Sequence, residues 1–272
     1  MADEENTHGM VLAGAGPTTA AELSLGTITL PADGPWVIHQ VWGQVVAATA
    51  TAAEAIGGYL KLESVAGDLE PNPAPAKFPL YAHGSFLGAV EDADSVPLQM
   101  YDINFAAPGK AQVKLLYAQD IGCTVAPQVC AGILFGKSTP EKKPLQYCDS
   151  VQGTVTAATD TSVGTITLSE RSTRIVGVCA MLMQDGVLVA GEELIGFWRM
   201  ASDDINIIPA QFPFVNAVNA GLGATISAGP VPPFSFIPVD IPVPAGARIN
   251  TYVDLNTAVT NAADVRIFVA YE

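Results

Sequence analysis

Hydrophobic and polar positions alternate with a period of two along most of the chain, in short runs separated by Gly, Pro and Asp clusters. This pattern is typical of short strands joined by turns. The first half of the chain predicts eight strands, at residues 10–13, 23–30, 36–46, 56–62, 78–82, 97–105, 112–118 and 129–135. Residues 47–55 favour a helix by propensity alone.

The pentapeptide GTITL occurs twice, at residues 26–30 and 164–168, so the two occurrences start 138 positions apart. Further matches follow in the same order in both halves, namely EAIGGYLKLES (54–64) with EELIGFWRMAS (192–202), PAKFPL (75–80) with PAQFPF (209–214), and VCAGILF (129–135) with VRIFVAY (265–271). Ordered matches at one spacing indicate a tandem duplication. The counterpart of residues 47–55 contains glycines, so the repeat predicts a loop or strand there instead of a helix.

The duplication predicts two domains, at residues 1–137 and 153–272, joined by a linker at 138–152 that contains Pro140 and Pro144. Eight short strands per copy favour a jelly roll, which is an eight-stranded sandwich made of two Greek keys. The seven-stranded immunoglobulin fold is the alternative. The sequence therefore predicts an all-β protein of two tandem, jelly-roll-like β-sandwiches.

The repeat also predicts which side chains occupy matching positions in the two cores: Leu25, Ile28 and Leu30 in the first copy, and Val163, Ile166 and Leu168 in the second. A turn precedes the penultimate strand of each copy. Gly109 and Gly246 are expected to supply the positive φ angle that a tight hairpin requires.

The charge balance argues against extended contact with nucleic acid. The chain has 12 Lys and Arg against 27 Asp and Glu, a net charge of −15. Binding to phosphates requires clustered basic residues, which this chain lacks. Charged residues make up only 14% of the chain, against about 25% in ordinary soluble domains. Two explanations remain open, an alanine-rich soluble protein or a subunit whose surface is covered by neighbours.

The chain shows no targeting or membrane signal. The N-terminal MADEENTHGM is acidic and lacks the basic and apolar regions of a signal peptide. No apolar run approaches the 18 or so residues that a transmembrane segment needs.

No catalytic, cofactor-binding or metal-binding residues are predicted, so the chain is not expected to be an enzyme. The histidines, His8, His39 and His83, form no H-x-H pair. In a metal-binding cupin a further histidine follows the P-x-G turn, but Ile249 and Gln112 stand at that position in the two copies. There is also no G-x-S-x-G motif for a serine nucleophile.

Three weaker signals have two interpretations each. The acidic clusters at residues 91–94 and 203–204 are either solvated loops or Ca²⁺ ligands. The four cysteines, Cys123, Cys130, Cys148 and Cys179, form no C-x-x-C pair and are expected as buried free thiols, with a Cys123–Cys130 bridge as the alternative. The aromatic residues Trp36, Trp42, Trp198 and Tyr59 either pack in cores or interfaces or form a platform for sugars.

A duplicated, weakly charged chain of short strands resembles the viral coat proteins that are built from two tandem jelly rolls. The resemblance covers the whole chain and rests on architecture, without a family motif. It implies a major capsid protein located in the virion, assembling laterally with itself as a homotrimer of pseudo-sixfold outline and with other virion proteins. Contact with the genome or an internal membrane would then be made through other proteins. The alternatives are a phage head decoration or cement protein, or a cell-surface carbohydrate-binding or adhesive sandwich.

Overall fold

The computed structural model describes residues 8–46, 56–71, 76–82, 98–120, 122–123, 125–137, 147–184, 194–207, 211–214, 216–219 and 236–272. Every helix or strand within these ranges is a β-strand, so the predicted all-β fold is confirmed. In the same ranges there is no helix of the length and apolarity needed to cross a membrane. The strands form four sheets, which stack in pairs as two β-sandwiches.

The described residues of the first sandwich form eight strands: β1 (His8–Ala15), β2 (Glu22–Thr29), β3 (Trp36–Val46), β4 (Ile56–Ser64), β5 (Lys77–Ala82), β6 (Gln99–Ala107), β7 (Gln112–Gln119) and β8 (Gln128–Gly136). Its two sheets have the orders β1-β8-β3-β6 and β2-β7-β4-β5. The antiparallel pairs β1–β8, β2–β7, β3–β6 and β4–β5 are those of a long hairpin rolled into two sheets. This topology is the jelly roll.

In the second sandwich, nine strands lie within the described ranges: β9 (Tyr147–Val155), β10 (Thr161–Thr167), β11 (Arg174–Gln184), β12 (Gly196–Ala201), β13 (Gln211–Pro213), β14 (Asn216–Asn219), β15 (Ile237–Pro242), β16 (Arg248–Leu255) and β17 (Ala263–Tyr271). One sheet has the order β10-β16-β12-β13, and the other joins β9, β17 and β11 with β15 at the outer side of β11. These eight strands repeat the first topology, and β14 is an extra strand parallel to β11.

Backbone contacts outside the strands repeat as well. The amide of Leu30 donates a hydrogen bond to the carbonyl of Ala111, and the amide of Leu168 donates one to Ala247, both at 2.9 Å. The predicted strands of the first copy lie within two residues of the observed ones.

The repeated GTITL sequence forms the same bulged edge strand in each sandwich. A β-bulge falls between Ser24 and Gly26 in β2, and another falls between Ser162 and Gly164 in β10. Gly26 has a φ of 142°, a backbone conformation that residues with a Cβ rarely adopt. The bulge bends an edge strand whose outer hydrogen-bonding groups would otherwise invite pairing with another chain.

The apolar residues of the motif point into the cores as predicted. Ile28, Leu30, Ile166 and Leu168 are buried, while Leu25 and Val163 are partly buried against the same two cores. The threonines between them are exposed. The pentapeptide is therefore a structural motif: a glycine for the bulge, followed by alternating exposed and buried positions.

Replacing Gly26 with alanine is expected to lower the free energy of unfolding by about 1–3 kcal/mol, because the new side chain would be held in a strained conformation. Its Cβ would also lie 3.3 Å from the side chain of Leu12. Gly14→Ala is the matched control, since nothing lies within 4 Å of a Cβ built there. Chemical denaturation measures both; equal stability of the two variants would contradict this account of the bulge.

Two sequence predictions need correction. The segment 138–152 is not all linker, because β9 begins at Tyr147 and pairs with β17 along its whole length, so residues 147–152 belong to the second sandwich. In the first turn the positive φ belongs to Lys110, at 67°, instead of Gly109. Gly109 is required for a different reason: a Cβ there would lie 2.4 Å from the carbonyl oxygen of Ala32.

Candidate functional site

The two sandwiches meet at a contact that we call the junction, formed on one side by the outer face of the β9-β17-β11 sheet. Strand β11 alternates between two cores. Val178, Ala180 and Leu182 pack inside the second sandwich, whereas the intervening Cys179, Met181 and Met183 belong to the core cluster of the first. This strand is consequently buried on both faces.

The neighbouring strands extend the apolar part of the junction. Cys148 of β9 and Phe268 and Ala270 of β17 also pack into the core cluster of the first sandwich. On the side of the first sandwich lies Tyr101 of β6. The centre of its ring is 6.1 Å from that of Phe236, which directly precedes β15 of the second sandwich. The junction thus continues the first hydrophobic core into the second sandwich.

A buried ion pair lies beside this apolar contact. The guanidinium of Arg266, on β17, binds both carboxylate oxygens of Asp120, with Nε donating to Oδ2 at 2.6 Å. The side chains are only 8% and 1% exposed. Arg266 also donates to Ser150 Oγ at 2.8 Å and to Gln152 Oε1 at 2.9 Å. Burial raises the pKa of Asp120, and the charge of Arg266 opposes that shift.

An aromatic ring covers the ion pair from the side of the first sandwich. The Cζ of Arg266 lies 4.6 Å from the centre of the Tyr59 ring, and Lys77 Nζ lies 5.5 Å from the same ring. These are cation–π distances. Lys77 forms a second ion pair across the junction with Asp149, at 2.9 Å. A third pair across the junction, Arg171 with Glu70, is exposed on both sides.

The burial of the four cysteines determines how reactive their thiols are. None of the four forms a disulfide; Cys123, Cys148 and Cys179 are buried, and Cys130 is half-buried. Burial raises the pKa of the Cys148 and Cys179 thiols well above the usual range, so they stay protonated and unreactive. The prediction that the thiols are buried and unbridged is confirmed for Cys123, Cys148 and Cys179, whereas Cys130 is only half-buried, and the alternative Cys123–Cys130 bridge is wrong.

The other residues singled out from the sequence do not converge on one site. His8 stacks on Phe135 at a centroid distance of 5.4 Å, and His39 lies at a bulge in β3. Asp204 accepts a hydrogen bond from the amide of Arg248. No group of three metal-ligating side chains occurs among the residues that the structure describes. His83 and the acidic cluster at 91–94 lie outside the described residues.

Two of the tryptophans considered for a sugar platform are core residues. Trp36 is buried, and its Nε1 donates to the carbonyl of Pro31; Trp198 is buried and donates to Pro213. Tyr59 is part of the junction. The interpretation of these three as core or interface packing is confirmed, and a platform built on Trp36 and Trp198 is wrong.

The fourth aromatic residue, Trp42, lies on the outer face of the β1-β8-β3-β6 sheet, which we call the open face. Its ring covers Gly132, where an added Cβ would lie 2.6 Å from the ring. Val11 and Met100 on this face are 56% and 46% exposed, and Trp42, Cys130 and Leu134 are half-buried. These apolar side chains lie beside the polar Gln40, Gln44 and Asp102 on the same face. An exposed apolar cluster with a polar surround is typical of an interaction surface.

Comparisons with known proteins identify no family. No protein-family model matches the sequence, and no curated protein matches it. One structural likeness is to a chain from a study of the triple jelly-roll fold and turret assembly in an archaeal virus, at 12% identity and a TM-score of 0.26, covering 100% of this chain and 60% of that one. Another is to a chain of Sulfolobus Turreted Icosahedral Virus, at 11% identity and a TM-score of 0.27, with the same coverage.

A third likeness is to PNGase F, a glycosylasparaginase from Flavobacterium meningosepticum, at 14% identity and a TM-score of 0.44, covering 98% of this chain and 96% of that one. The chain spans only 60% of the length of the two archaeal virus chains. Similarities at this level do not discriminate between functions.

Sequence reasoning did not identify Arg266 and Asp120. They are 146 positions apart, so no local pattern links them. One signal was present: Arg266 interrupts the otherwise apolar strand VRIFVAY, whose counterpart VCAGILF has Cys130 in its place. A charge inside an apolar strand requires a partner.

Proposed function

We propose that this protein is a structural subunit of a virion shell, most simply its major capsid protein, which associates laterally with copies of itself. A phage head decoration protein is the nearest alternative within the same class. In either case the function is association, and no catalytic step is assigned to the chain. Partners would be further copies and other virion proteins, with no extended contact to nucleic acid.

The observation that carries the proposal is the open face. The second sandwich buries the corresponding sheet face in the junction, whereas the first sandwich leaves its own exposed, with Val11 and Met100 at 56% and 46%. An exposed apolar sheet face is typical of a protein that is completed by a neighbour. A low content of charged residues, 14% of the chain, fits a subunit whose sides are covered.

The junction supplies a second argument. A shell subunit has to hold its two sandwiches in one mutual orientation, because each must present its surfaces to neighbours at a defined angle. The bidentate contact of Arg266 with Asp120 fixes that orientation, since a buried ion pair is favourable only in one geometry.

The purified protein is expected to form ordered sheets, rings or shells when it is concentrated, because association would bury the open face. Negative-stain electron microscopy over a series of protein concentrations and ionic strengths tests this expectation. A homotrimer would appear as a particle with a pseudo-sixfold outline. Fields of isolated monomers under every condition would contradict the proposal.

A further inference from the structure

The open face of the first sandwich is the topological counterpart of the face that the second sandwich buries in the junction. Ile38 pairs with Phe135 in the first sandwich, and Ile175 pairs with Tyr271 in the second, each at a bulge. Phe135 and Tyr271 are therefore equivalent. Counting five residues back along β8 and β17 makes Cys130 the counterpart of Arg266.

The opposite side of the junction also has an exposed counterpart, on the second sandwich. The amide of Asp120 donates to the carbonyl of Gly57 at 2.9 Å, just after β7. The amide of Asn256 donates to Ile195 at 2.9 Å, just after β16. Because these contacts are identical in position, Asn256 is the counterpart of Asp120, and it is exposed.

The two members of the buried ion pair are thus replaced together. Where the junction has Arg266 against Asp120, the two exposed counterpart surfaces have Cys130 and Asn256, both uncharged. Loss of one charge alone would leave the other without a partner if these surfaces met in the same way. Loss of both removes the ion pair without leaving either of its two charges unpaired.

The second ion pair of the junction shows the same joint replacement. Lys77 pairs with Lys61 in the sheet, and Gln211 pairs with the equivalent Arg199, so Gln211 replaces Lys77. Asp149 lies opposite Val269 on β17, and Met10 lies opposite the equivalent Ile133 on β8, so Met10 replaces Asp149. Lys77 and Asp149 are in contact, and both counterparts are again neutral.

The aromatic residue of the junction, Tyr59, also has a counterpart that suits an uncharged contact. Tyr59 packs against the guanidinium of Arg266, and its hydroxyl donates to Glu22 at 2.8 Å. Gly58 lies opposite Gln119, and Gly196 lies opposite the equivalent Leu255, so the two glycines are equivalent. The residues that follow them are Tyr59 and Phe197, so Phe197 holds the position of Tyr59. If the counterpart surfaces met in the same way, Phe197 would face Cys130 and Val11 and form an apolar contact in place of the cation–π contact.

We infer that the open face of one copy docks on the second sandwich of another copy in the arrangement of the junction, with Cys130 of one copy opposite Asn256 of the next. This inference rests on the proposed function and specifies which surfaces meet. The contact is head-to-tail, because two different surfaces of the chain are used. Such contacts close into a ring or continue as an open array.

A transplant of the ion pair tests the inference. Cys130→Arg alone is expected to raise the dissociation constant of self-association by about 100-fold, because it buries a charge without a partner. Asn256→Asp alone is expected to weaken association in the same direction. The double variant recreates the Arg266–Asp120 pair between copies and is expected to associate within about tenfold of the unmodified protein.

Sedimentation equilibrium gives the dissociation constants, and thermal unfolding shows whether each variant is folded. Thr27→Arg is the matched control, since Thr27 is exposed on β2 away from both surfaces, and its association is expected to be unchanged. If the unmodified protein associates and Cys130→Arg has no effect, or the double variant is no better than the singles, the inference is wrong while the proposed function stands. If the unmodified protein never associates, both are wrong.

Cross-linking provides a measurement that needs no buried charge. With Asn256→Cys, a short bifunctional maleimide is expected to link the new thiol to Cys130 of the next copy, because these positions correspond to the paired Asp120 and Arg266. Denaturing electrophoresis would then show a ladder of covalent multimers. The ladder is expected to be absent when Cys130→Ser is added. A ladder that persists with Cys130→Ser would contradict the assigned pairing.

Discussion

Replacing Arg266 with alanine is expected to lower the free energy of unfolding by about 3–5 kcal/mol at neutral pH, because Asp120 would remain charged in a buried site without a partner. Asp120 is 1% exposed, so water cannot substitute for the lost guanidinium. Ser150 and Gln152 would lose their donor as well. Urea denaturation followed by circular dichroism gives the difference.

Two controls separate the buried charge from other causes. Arg171→Ala removes another ion pair across the junction, with Glu70, but both partners are more than 60% exposed, so the expected loss is at most about 1 kcal/mol. The double variant Arg266→Met with Asp120→Leu removes both charges and is expected to be close to the unmodified protein in stability. Equal losses for Arg266→Ala and Arg171→Ala would contradict the role of burial.

The loss in free energy of unfolding caused by Arg266→Ala should also depend on pH. Burial raises the pKa of Asp120, and Arg266 is the cation that opposes the shift. In the variant only burial remains, so the folded-state pKa lies above the unfolded value of about 3.9. Such a group favours folding below its unfolded pKa and loses that contribution as pH rises through the folded pKa. The deficit is therefore expected to be smaller near about pH 4.5 than near about pH 8.

The second large effect is expected in the repeated strand. Leu30→Asp and Leu168→Asp are each expected to lower the free energy of unfolding by about 4–5 kcal/mol, because each puts an unpaired charge into a core and removes apolar burial. The two leucines are 1% and 2% exposed. They hold equivalent positions, so the two losses should agree within a factor of two.

The neighbouring threonines provide the matched controls. Thr29 and Thr167 are the last residues of β2 and β10, directly before the two leucines, and both are exposed. Thr29→Asp and Thr167→Asp are each expected to cost less than about 1 kcal/mol. A large loss at Leu30 without one at Leu168 would contradict the equivalence of the two sandwiches.

The strands and the duplication could be predicted from the sequence because both are encoded locally. In β2 and β10 the alternation of Thr27, Ile28 and Thr29, and of their counterparts, specifies which face is buried. The turn before β7 was predicted less well. Lys110 adopts the positive φ, because it is the residue equivalent to Gly246. The glycine of the first copy, Gly109, lies one position earlier.

The junction could not be predicted, because its partners are far apart in sequence. Strand β11 carries apolar residues on both faces, a pattern typical of a strand buried on both sides. That pattern indicates a second covered face without indicating what covers it. Asp120, the partner of Arg266, lies on the other sandwich. Arg266 and Asp120 come together only in the folded chain. Their uncharged counterparts, Cys130 and Asn256, are recognised only when the two copies are superimposed strand by strand.

We propose that the chain is completed by further copies of itself, and sedimentation equilibrium measures this association. The weight-average mass of the purified protein is expected to rise with concentration from the 28.2 kDa of one chain to a defined multiple of it. A mass of one chain at every concentration and ionic strength would show that the protein does not associate with itself.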